Sequence, residues 1–153
     1  IYSLVKHFRN SDIGLVAANI LNKRYKTDGI SLQEKTYLEY ENKIKYREGI
    51  VWGNMIGALG GSYAIRKEYF IPVPESFLMD DFYISMNVLK RGKRSIMELE
   101  AACYEDASNL LSEEIRRRIR ISAGNFQNLS VYKNLLWPPF SSISFSFLST
   151  SIN

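Results

Sequence analysis

Apolar and polar positions alternate between two periods along this chain, short strand-like runs and longer stretches of helical spacing. Leu4, Val5 and Phe8 fall on one face of a helix predicted over residues 2–8. Asn10-Ser11-Asp12 is a turn signal. The apolar run at residues 13–18 then predicts a buried strand. A polar connection, residues 23–29, leads to the capping box Ser31-Leu32-Gln33-Glu34. The helix it opens carries Tyr37, Tyr40, Glu41 and Ile44 on one side and is expected to end at Gly49. Its tyrosines are expected to pack in or beside the core. Gly60-Gly61 leads into an alternating strand at residues 62–66, and Pro72-Val73-Pro74 predicts a rigid loop. Asp80-Asp81 then opens a helix in which Phe82, Ser85, Met86 and Leu89 share a face. Lys90 and Arg91 suit its C-terminal dipole, and Gly92 suits the position just past its end. A strand is predicted at residues 93–99, with Ile96 as its buried contact. A last helix runs from Ser112 to about Gly124, with Ile115, Ile119 and Phe126 expected to face the core. Strands alternating with helices imply the α/β class with a mixed sheet.

Composition narrows this picture only modestly. The 153 residues fit one domain, and 46% hydrophobic with 24% charged residues is ordinary for a globular core. A net charge of +4 favours anionic partners. The single cysteine, Cys103, excludes an internal disulfide and fits a reducing compartment; with one histidine, His7, it argues against a structural zinc site. No signal peptide is visible, and no window approaches the ~20 apolar residues of a membrane helix. The start at Ile1 and the Ser-rich stretch at residues 140–153 are expected of a segment cut from a longer protein, its tail lying on or near a membrane.

The chemistry concentrates at Asp80-Asp81. Two carboxylates at a loop-to-helix junction can cap the helix, bind a divalent cation or act as a general base. Mutual repulsion would raise one pKa, although residue type alone favours capping. Gly60-Gly61 reads as a tight turn or as a place where backbone approaches a ligand. Arg116, Arg117 and Arg120 form a basic helix face, either solvated or holding an anion beside Gly124. Aromatic residues are not interleaved there, so nucleic acid is not the expected partner. Glu105-Asp106 is a second acidic pair in a predicted loop.

In this order the motifs resemble the inverting, family 2 glycosyltransferases, especially the membrane-anchored relatives of cellulose and hyaluronan synthases. The family has a small-residue loop and a strand ending in Arg, as at Gly60-Gly61 and Arg66. An x-Asp-Asp triplet follows, as at Met79-Asp80-Asp81, then a helix ending in Arg-Gly, as at Arg91-Gly92. An acidic residue, here Glu105, precedes a Gln-x-x-Arg-Trp helix and a Gly, here Arg117 to Ile121 and Gly124. Leu4-Val5-x-x-Phe8 and Ile13-Gly14-Leu15-Val16 look like the segment after the family's Asp-x-Asp. The resemblance implies a GT-A-type, Rossmann-related domain. Residues 1–139 would be its acceptor-side half, the nucleotide-binding half with the Asp-x-Asp being absent. It implies Asp81 as general base with Asp80 as helper or cap. Gly60, Gly61, Arg66, Glu105, Arg117, Arg120 and Gly124 would be substrate-binding. Mg²⁺ or Mn²⁺ would be held mainly by residues outside this chain. The implied partners are a nucleotide-sugar donor and a saccharide or lipid-linked acceptor, at the cytoplasmic face of a membrane. Arg117 stands in place of Gln and Ile121 in place of Trp, which favours a single transfer over processive synthesis. The alternative is a non-catalytic basic module for nucleic acid or an anionic membrane surface.

Overall fold

The computed structural model describes residues 1–22, 30–57, 62–105 and 111–136, and their side chains except at 22, 30–38, 114, 135 and 136. It is a mixed α/β arrangement. In chain order the elements are α1 (Tyr2–Val5), β1 (Ile13–Asn22), α2 (Ile30–Val51), β2 (Tyr63–Ile65), α3 (Asp80–Lys90), β3 (Arg94–Glu105) and α4 (Leu111–Tyr132). The three strands form one mixed sheet in the order β2-β1-β3. β1 runs antiparallel to β2 and parallel to β3.

β1 is central because its residues are small and apolar on both faces: Leu15, Val16 and Ala17 are all fully buried. Leu15 and Ala17 point to the face covered by α3, where they meet Ile84, Val88, Met55 and Met97. Val16 and Ala18 point to the other face, where Leu4 closes the core with Phe8 beside it. The sheet is thus sandwiched between α3 and the N-terminal helical segment. The predicted strand at residues 13–18 is longer than its apolar run, because Asn19 to Asn22 continue the ladder with β3 after a register shift. Val5, expected on the inner face with Leu4 and Phe8, is exposed.

α3 follows its sequence pattern closely. Phe82, Ser85, Met86 and Leu89 are all buried, and Gly92 lies just past the helix end with φ of +71°. The Gly92 N–H donates to the Leu89 carbonyl, a left-handed closure that an L side chain resists. β3 departs by one position: Ser95 and Met97 are buried, whereas Ile96 is only partly buried, against the opposite core cluster.

The two long helices depart further. α2 starts at Ile30, one residue before the predicted cap Ser31, and passes through Gly49 to Val51. Gly49 is buried in the last turn of the helix, where a Cβ would lie 3.1 Å from the Ile96 Cα. Tyr40 is exposed, and Tyr37 lies outside the described side chains. The buried face of α2 is polar, built from Asn42, Lys45 and Glu48. Asn42 donates to the Ile20 carbonyl at 2.9 Å, tying the helix to β1.

α4 is likewise inverted. Ile115, Ile119 and Phe126 share a stripe as expected, but face outward at 49%, 64% and 74% exposure. The helix docks through its polar side instead. Gly124 is buried against Met79, where an added Cβ would stand 2.5 Å from Met79 Cγ. Gln127 spans the same seam, donating to the Ser76 carbonyl at 2.8 Å and accepting from the Leu78 N–H at 3.1 Å. Leu129 and Tyr132 then join Phe82, Met86 and Leu89 in the α3–α4 core.

Candidate active site

α3 returns antiparallel to β3, so its N-terminus lies toward the carboxyl ends of the parallel strands β1 and β3. That is where open α/β sheets place their crevices. The loop before α3 is extended at Met79, and the helix begins at Asp80. Asp80 and Asp81 therefore occupy the first turn, in the positive field of the helix. Asp80 is not the expected cap, because the N-cap position falls on Met79, which makes no side-chain cap bond; instead each carboxylate takes a first-turn N–H, Asp80 Oδ1 accepting from Asp81 at 3.0 Å and Asp81 Oδ1 from Phe82 at 2.7 Å.

The two carboxylates differ in surroundings. Asp80 is exposed, whereas Asp81 is partly buried. Burial pushes the Asp81 pKa up. The Phe82 N–H and the Lys45 charge oppose that rise, the Asp80 charge adds to it, and the Arg120 charge opposes it. Repulsion between neighbouring acids thus contributes, but burial is the leading cause. The phenol of Tyr63, on β2, is raised first by burial and then by the Asp80 and Asp81 charges. The Asp81 surroundings accordingly draw on four elements: α3 itself, Lys45 from α2, Tyr63 from β2 and Arg120 from α4.

Lys45 is 4% exposed. Its Nζ donates to the carbonyls of Ile56 and Gly57 at 2.6 and 2.7 Å, with the Glu41 carboxylate 3.8 Å away. The Gly57 N–H in turn donates to Ser85 Oγ on α3 at 3.0 Å. Arg120 donates to the Leu78 carbonyl at 3.1 Å and so braces the loop that delivers Asp80 and Asp81.

Of the residues singled out in the sequence, the structure gathers Asp80, Asp81, Arg120 and Gly124 around the start of α3. Arg117 lies on exposed α4, one turn before Arg120. Arg66 sits elsewhere: its guanidinium donates to the carbonyls of Phe8, Asn10 and Ile13 and stacks on the Phe8 ring, at the end of the sheet where α3 finishes. Glu105 is exposed at the far end of β3, paired with Asn22. Gly60, Gly61 and Asp106 lie outside the described residues.

Lys45 and Tyr63 were not among the sequence candidates. A signal for Lys45 existed in the three-residue spacing of Asn42, Lys45 and Glu48, which marks a polar stripe along α2. Nothing local distinguishes Tyr63 from the other tyrosines. Among the described residues no three His, Cys, Asp or Glu side chains come together as a metal-binding group. The Asp80-Asp81 pair, with an oxygen of each turned to backbone, does not by itself make a site for Mg²⁺ or Mn²⁺.

No protein-family model matches the chain, and no curated protein matches it.

Proposed function

We propose that this chain is the acceptor-side half of a GT-A-type inverting glycosyltransferase domain and that Asp81 is its general base. The observation that carries the reading is the Asp81 carboxylate itself: partly buried at a helix N-terminus, raised in pKa by that burial, and within the field of the Lys45 and Arg120 charges. A carboxylate with a raised pKa is a stronger base while still ionised near neutrality. In this reading the acceptor hydroxyl gives its proton to Asp81 as its oxygen attacks the anomeric carbon. The bond from that carbon to the nucleoside diphosphate breaks with inversion. Arg120 stabilises the anionic leaving group or orients the acceptor, with Arg117 one turn away. The order of motifs from Gly60-Gly61 to Gly124 supports the same class. The nucleotide-binding half and the divalent cation belong to residues outside this chain, and the enzyme works at the cytoplasmic face of a membrane.

The test is Asp81→Asn in the full-length protein, assayed for transfer from nucleotide-sugar donors. The isosteric amide cannot take the proton, so transfer falls by roughly 10²–10⁴-fold with the fold intact. Transfer at the wild-type rate by the variant would sink the assignment.

A second reading is favoured by one feature of α4. Its outward stripe of Leu111, Ile115, Ile119 and Phe126 is bordered by arginines, as in helices that lie in an anionic membrane surface. In that reading the chain is a binding module without chemistry.

A further inference from the structure

A lysine ammonium in a protein interior is costly unless its surroundings supply acceptors and opposing charge. Lys45 has both, and they converge on one place. Its Nζ grips two successive carbonyls, those of Ile56 and Gly57. The same turn is anchored from the other side, because the Gly57 N–H donates to Ser85 Oγ, and Ser85 donates to the Phe82 carbonyl within α3. Lys45 therefore ties α2 to the turn, and Ser85 ties the turn to the first half of the helix that carries Asp81. Glu41, 3.8 Å from Nζ and one helical turn back, balances the charge incompletely.

We propose that Lys45 is a positioning residue for Asp81. It is a buried cation on α2 that fixes the Ile56–Gly57 turn against α3, and the chain of hydrogen bonds from that turn through Ser85 and Phe82 ends at the Asp81 carboxylate. The Asp81 carboxylate accepts the Phe82 N–H, and the charged or titratable groups whose fields couple to it are Asp80 on α3, Tyr63 on β2, Arg120 on α4 and Lys45 on α2. Arg120 is exposed and solvent-screened, whereas Lys45 is buried, so Lys45 is the cation whose field water weakens least. Its favourable influence on the Asp81 anion agrees with this placement. The catalytic meaning of the inference rests on Asp81 being the base; the charge coupling itself does not.

The experiment is a pH titration of the Asp81 carboxyl carbon by NMR in the intact protein, alongside amide exchange at Gly57. Lys45→Met, which keeps most of the unbranched side chain and removes its charged end, should move the Asp81 midpoint upward. It should also speed Gly57 exchange by about tenfold. Lys45→Arg should restore most of the midpoint. An unmoved Asp81 midpoint in Lys45→Met overturns the proposal, because a purely structural lysine would alter exchange alone. If Lys45→Met does not fold, the reciprocal measurement decides. Asp81→Asn should shift the Lys45 Nζ resonance, and an unchanged resonance overturns the proposal. Absence of sugar transfer by the full-length wild-type protein would refute the glycosyltransferase reading without affecting either titration; this chain alone is expected to be inactive.

Discussion

Two carboxylates, Asp81 and Glu98, are pulled in opposite directions by their neighbours. Burial raises Asp81 further than its cations lower it. Glu98 is also penalised by burial, but the Glu100 N–H at 2.9 Å, the His7 ring at 2.6 Å and Lys6 at 2.9 Å outweigh that and hold it at about 2. A carboxylate with a depressed folded-state pKa contributes stability that is fully present above its ordinary range. That stability is lost as the pH falls toward about 2. Glu98→Gln should therefore lower stability by on the order of 1–2 kcal/mol at neutral pH. The deficit should shrink as the pH drops from 5 toward 2, in denaturant titrations at each pH. A deficit that stays constant with pH would mean that the amide disturbs packing and that the charge is unimportant. None of this was legible in the sequence. Lys6 and His7 are some ninety positions from Glu98, and only the docking of the N-terminal helical segment on β3 brings them together.

At the scale of elements, α3 and α4 show which local patterns can be trusted. The stripe Phe82, Ser85, Met86, Leu89 points inward because Ile56, Leu129 and Tyr132 cover it, while Ile84 and Val88 of the same helix meet the sheet. The equally regular stripe Ile115, Ile119, Phe126 points outward, because α4 is held by Gly124, Gln127 and Arg120 on its opposite side. Periodicity identifies both helices and their apolar faces; it does not say what lies opposite each face. Two substitutions separate the cases. Phe82→Ala, at a fully buried position, should cost about 3–5 kcal/mol. Ile119→Lys should change stability by no more than about 0.5 kcal/mol. Chemical denaturation of both variants checks this, and a large loss from Ile119→Lys would mean that another part of the protein covers the stripe. α2 is the converse case, since its predicted aromatic side gives way to a buried face of Asn42, Lys45 and Glu48. Asn42 and Lys45 find carbonyls on β1 and on the 56–57 turn, partners that no helical spacing announces.

At the scale of the whole molecule, the outward stripe of α4 and its arginines allow the two functional readings to be separated. No helix among the described residues is long and apolar enough to cross a membrane. Surface contact would instead use α4. If α4 lies in an anionic interface, the protein should sediment with phosphatidylserine-containing vesicles and release in high salt. Ile119→Glu should weaken binding by about tenfold, from the apolar burial forfeited. Equal binding to neutral vesicles, or no effect of Ile119→Glu, rules that surface out. Membrane binding combined with full transfer activity would favour the enzyme, and binding with none would favour the module.

The amino-acid order by itself determined the α/β class, the central apolar strand, and both ends of α3, down to the carboxylates in its first turn and Gly92 beyond its last. Those features depend on backbone and side-chain preferences over a few neighbouring residues, which a linear chain displays. Only the tertiary structure decided that the charges of Lys45 and Arg120 act on a partly buried Asp81, that Arg66 turns to backbone carbonyls at the other end of the sheet, and that α2 buries polar groups while α4 exposes apolar ones. Charge environment and burial depend on what packs across a gap, and that is set by chain segments far apart in sequence.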